Sequence, residues 1–81
     1  MHSEITIRHA TDDDVTAVHH LAALDEAEAP KGDSLLAFVD GELVAARSMR
    51  GPTAVADPFR RTRHVLELLD LQRRQERRAA A

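Results

Sequence analysis

The spacing of apolar positions changes several times along this chain, and each change marks an element. Glu4 to Arg8 alternates, with Ile5 and Ile7 on one side, the pattern of a half-buried strand. Thr11 then opens a helix. It stands three residues before Asp14 in capping-box spacing, and Asp12, Asp13 and Asp14 all complement the helix dipole. Val15, Val18, Leu21 and Ala22 form one apolar stripe with Leu24 at its margin, so this helix is expected to bury a single side. It ends near Asp25 to Ala29, and Pro30, Lys31 and Gly32 make the loop that follows.

Ser34 to Val39 and Glu42 to Ser48 are β-rich runs separated by Asp40-Gly41, a dipeptide suited to the positive φ angles of a tight type I′ hairpin turn. Both runs are apolar on both faces. Leu35, Ala37 and Val39 oppose Leu36 and Phe38, and strict alternation sets Leu43 and Ala45 opposite Val44 and Ala46. A sheet centre of this kind must be covered on both sides, which one helix on each face achieves.

Gly51-Pro52 breaks the chain, Thr53 to Ala56 is long enough for a short fourth strand, and Asp57-Pro58 ends it. Thr62 is the expected N-cap of a second helix reaching about Arg78. Its apolar residues Val65, Leu66, Leu68, Leu69 and Leu71 spread over roughly 220° at 100° per residue, wider than one sheet contact needs. Past Leu71 the helix is polar, and Arg73, Arg74, Arg77 and Arg78 suit its C-terminal dipole, so a projecting basic end is expected. The order β-α-β-β-β-α describes one α+β domain over residues 1–81. It has a mainly antiparallel sheet of about four strands, one helix on each face and a polar helical tail from about residue 72.

Composition limits how stable such a domain can be. A chain of 81 residues buries only roughly 60% of its unfolded surface. With two Phe and no Trp, Tyr or Cys, the core is aliphatic and neither disulfides nor Cys-ligated zinc can reinforce it. Association with a partner remains as a source of buried area. The N-terminal residues lack a basic stretch leading into a long apolar run, and nothing downstream approaches a membrane span. A soluble, cytoplasmic protein is the expectation.

The net charge of −3 hides an asymmetry. Residues 1–42 carry ten acidic and two basic side chains, a net of −8, whereas residues 43–81 carry four acidic and nine basic ones, a net of +5. This distribution suits reciprocal self-association or an anionic ligand on the basic side, and it also fits two helices with solvated charged faces.

Candidate chemistry concentrates at the start of the second helix. Backbone N–H groups and dipole there favour an anion, and Arg60, Arg61 and Arg63 oppose that dipole unless something negative sits among them. The five histidines, His2, His9, His19, His20 and His64, contain no His-x-x-x-His pair on one helical face, and surface roles are expected. Asp12 to Asp14 reads as capping rather than cation binding. Ser34 and Ser48 lack a nucleophile elbow or a neighbouring base. An acidic chain without Trp or Tyr is a poor nucleic-acid binder.

Ile5-Thr-Ile-Arg-His-Ala-Thr-Asp-Asp-Asp14 at the start, the Asp-Gly hairpin in Val39-Asp40-Gly41-Glu42-Leu43-Val44-Ala45 and the element order together resemble the N-terminal half of a GNAT superfamily N-acetyltransferase, from Ile5 to about Leu71. The resemblance implies an acetyl-CoA site at Arg60, Arg61, Thr62, Arg63 and His64, where the family carries Arg/Gln-x-x-Gly-x-Gly/Ala. The basic character is kept there and both glycines are replaced, so Arg63 and Val65 would crowd the pyrophosphate. The later strands, the acceptor pocket and the general-acid tyrosine of the family have no counterpart in these residues. The resemblance therefore implies a small, non-catalytic GNAT-like half domain. It would act by homodimerisation or by docking on a protein partner, with a residual anion site at the second helix. The alternative is an acetyl-CoA-dependent acetyltransferase completed across a dimer or by a separate chain.

Overall fold

A computed structural model describes residues 4–80, which form β1 (Ile5–His9), a 3₁₀ turn (Asp12–Asp14), α1 (Val15–Leu24), β2 (Ser34–Val39), β3 (Glu42–Ser48), β4 (Ala54–Ala56) and α2 (Arg63–Ala80). His2 and Ala81 lie outside the described residues. The strands form one antiparallel sheet in the order β1-β2-β3-β4. One helix lies on each face, as the doubly apolar hairpin requires.

The central hairpin takes the expected boundaries because its turn chemistry leaves little choice. Asp40 and Gly41 have φ of 51° and 86°, the left-handed pair that a two-residue connection between twisted strands needs. The helical segment that leads into α1 opens after Thr11 as expected, though as a 3₁₀ turn. Thr11 donates its backbone N–H to the Asp14 carboxylate at 2.7 Å, and the Thr11 hydroxyl reaches the same oxygen at 3.1 Å. The end of α1 is a Schellman motif: Ala27 N–H bonds to Ala22 O, Glu26 N–H bonds to Ala23 O, and Glu26 takes a φ of 51° where glycine is the usual residue.

The core is two aliphatic layers. Val18, Leu21 and Ala22 of α1 pack on Leu36, Ala46 and Val55, with Phe38 and Leu43 beside them. On the other face Val65 and Leu69 of α2 pack on Leu35, Ala37, Val44, Ala45 and Met49, with Ile7, Val39 and Leu66 around them.

Three expectations are corrected. Strict alternation along β3 fails, because the pairing with β2 slips from Ala37↔Ala45 to Phe38↔Leu43. Val44 is the extra residue of a β-bulge and shares the α2 face with Ala45, while Leu43 joins Ala46 on the α1 face. Val15, assigned to the α1 stripe, is about half exposed, since the helix begins only at Val15 after the 3₁₀ turn and that first residue lies off the core-facing side. Finally, α2 does not project beyond Leu71. Arg73 donates to the carbonyls of Gly51 at 3.1 Å and Ser48 at 3.4 Å, and Glu76 meets His9, so the helix stays docked at least through Glu76.

Candidate functional site

The turn from β4 into α2 is built by Asp57. Its side chain accepts the Phe59 N–H at 2.9 Å and its carbonyl accepts the Arg60 N–H at 3.3 Å, so Pro58 and Phe59 sit at the tip of a tight bend. Phe59 is 81% exposed there. The Thr62 carbonyl accepts the Leu66 N–H at 2.8 Å, the first bond of α2, which places Thr62 at the N-cap.

Of the five residues singled out in the sequence, the structure brings three together. Arg60, Arg61 and Thr62 stand around an open recess of about 220 Å³ whose floor is Val39 and Val44. Arg63 and His64 do not line it and lie on exposed helix surface. Arg60 is already neutralised by Glu42 at the start of β3, at 2.5 Å. Among the described residues, Arg61 and Arg63 form no ion pair. The recess thus offers one uncommitted cation above an apolar floor, and its lining contains no glycine to bring bare backbone close to a phosphate.

A larger open recess of about 480 Å³ lies between the β1–α1 turn and the α1–β2 loop, where Thr11, Asp12, His19, Lys31 and Asp33 meet. Sequence reasoning did not assemble it. It depends on two loops more than fifteen residues apart coming together, and no periodicity reports that.

The sequence also left unread a set of polar links that tie the elements together. Arg8 makes two bonds to Asp14 at 2.8 and 2.9 Å, with its guanidinium 4.7 Å from the centre of the Phe38 ring. These bonds to Arg8, joined by the one from the Thr11 N–H, hold the Asp14 carboxyl well below the usual carboxylate range. His9 bonds through Nδ1 to Asp33 at 2.9 Å and through Nε2 to Glu76, and these two carboxylates raise its pKa. Arg47 on β3 pairs with Asp70 on α2. All of them cross between elements, and none surrounds the Arg60–Thr62 recess.

No protein-family model, curated protein or solved structure matches this chain, so the acetyltransferase resemblance rests on the order of its motifs alone. No described helix is long and apolar enough to cross a membrane.

Proposed function

We propose that this chain is a small, cytoplasmic, acetyltransferase-like domain that works by associating with protein rather than by catalysing a reaction. The observation that carries this reading is β1. It is an edge strand of the sheet, its side chains are largely exposed, and the apolar side chain of Ile5 is left 37% accessible there. An unpaired edge bearing apolar side chains is a template for another chain. Sedimentation velocity over a range of concentrations tests it. A mass above that of one chain is expected, and a folded monomer at millimolar concentration contradicts it.

A second reading keeps an anion site at Arg61 and Thr62, favoured by the uncommitted Arg61 over the recess. Calorimetric titration with acetyl-CoA decides it. Saturable binding that Arg61→Glu with Arg63→Glu abolishes would establish the site and revive an acetyltransferase completed by a partner; silence at millimolar ligand would end it.

A further inference from the structure

Backbone bonds at the two ends of β1 define which of its groups are free. Ala10 N–H bonds to Ser34 O and Asp40 N–H bonds to Glu4 O, so the even-numbered residues of β1 face β2. Ile5, Ile7 and His9 therefore turn their backbone N–H and C=O groups outward. Among the described residues no strand pairs with that side.

The opposite edge is less available. Ser48 N–H bonds to Thr53 O and Asp57 N–H bonds to Val44 O, which leaves Ala54 and Ala56 facing outward on a strand of only three residues. The carboxylate of Asp25, at the end of α1, takes the Ala56 N–H at 3.1 Å. Of the two outward donors on β4, one is already used.

What fits the β1 edge is written in β1 itself. Read outward in both directions from Thr6, the strand is Ile then Glu on one side and Ile then Arg on the other. Laid antiparallel on a copy of itself about Thr6, it sets Thr6 against Thr6 once, on the axis, and Ile5 against Ile7 and Glu4 against Arg8 twice each. These are the polar, apolar and opposite-charge cross-strand pairs that stabilise antiparallel sheets. The hydrogen bonding agrees, since in this register the residues exchanging backbone bonds are Ile5 and Ile7, both of which face outward. Asp14 and the His9 carbonyl occupy three of the five Arg8 N–H groups, which leaves donors for a second carboxylate. On the α2 face, Ile7 already packs on the core cluster of Val65 and Leu69. A paired copy would continue that apolar layer across the symmetry axis.

From this we infer that the partner is a second copy of this chain, joined β1 to β1 about a two-fold axis at Thr6, giving one continuous eight-stranded sheet. The inference rests on the association reading and specifies its partner, edge and register. Closed two-fold pairing also uses up the exposed edge, which head-to-tail pairing would not.

Disulfide trapping tests it, because the chain has no cysteine of its own. Residues facing each other without backbone bonds lie about 4.5 Å apart at Cα, within disulfide reach. Under mild oxidation Thr6→Cys is expected to give a covalent dimer, whereas Ile7→Cys and Ala54→Cys stay monomeric. Thr6 is exposed, so the fold tolerates the change. As a second variant, Ile5→Lys is expected to weaken self-association by about tenfold or more while the diluted protein still melts cooperatively. Trapping of Ile7→Cys instead of Thr6→Cys overturns the register, and trapping of Ala54→Cys overturns the edge; either leaves the association reading standing. A folded protein that no variant traps and that sediments as a monomer overturns both.

Discussion

His9, the last residue of β1, meets Glu76, 67 positions later on α2, through its Nε2, while its Nδ1 is held by Asp33. Imidazole bonded on both sides by carboxylates favours its protonated form, and the His9 pKa is raised chiefly by Asp33 and then by Glu76. Glu76 is lowered, chiefly by Gln72 and then by His9. The signs differ. The His9 contribution is complete below its ordinary value of 6.5 and is lost as pH rises through the folded-state value. The Glu76 contribution is present above 4.5 and is lost as pH falls. The bridge is therefore strongest between these limits. Urea unfolding is expected to show stability declining on the alkaline side by less than about 1 kcal/mol, since the groups are solvent-screened. His9→Gln should flatten that decline, and an unchanged profile would show that the bridge contributes nothing.

Two left-handed positions give opposite expectations. Gly41 at φ 86° has open space where a Cβ would stand, so Gly41→Ala carries only a conformational cost of about 1 kcal/mol. Glu26 takes φ 51° at the end of α1, where Glu26→Gly should stabilise by about 0.5–1 kcal/mol. Thermal melts of the two variants should move in opposite directions.

Leu69 is fully buried, whereas Leu71, two residues on, is 45% exposed. Truncating Leu69 to Ala should cost about 2–4 kcal/mol, a large part of what so small a domain has. Leu71→Ala should stay within about 0.5 kcal/mol in dilute protein. Equal losses in denaturant titrations would mean that α2 is seated differently.

Much of this architecture was legible because its signals are local. The Asp40-Gly41 turn and the doubly apolar runs beside it set both hairpin strands, and Thr11 with Asp14 set the start of the first helical segment. The bulge at Val44 was not legible. Leu43, Val44, Ala45 and Ala46 are all apolar, so no change of polarity marks the slip. The docking of α2 through Glu76 was hidden for a different reason: Arg73 and Glu76 look like solvent-facing residues until Gly51 and His9 are brought beside them. At the arginine turn the sequence showed a run of basic residues, and only the fold showed Glu42 occupying Arg60, with Arg63 and His64 standing away from the recess.

Asp25 shields the β4 edge. Asp25→Ala should cost about 1 kcal/mol and increase aggregation on heating, because Ala56 N–H loses its acceptor. Asp25→Asn keeps an oxygen there and should restore most of the difference. Light scattering during a thermal ramp reads both, and identical behaviour of the two variants would remove this role.

Amide hydrogen exchange at single-residue resolution asks most directly whether the open sheet is completed in solution. Thr6 and Arg8, bonded to β2, should be protected at every concentration. Ile5 and Ile7, which face outward, should exchange freely in dilute protein and become protected as concentration rises. Free exchange of Ile5, Ile7 and Ala54 at all concentrations, with Thr6 and Arg8 still protected, would show a folded domain whose edges stay bare and would contradict the association proposed here.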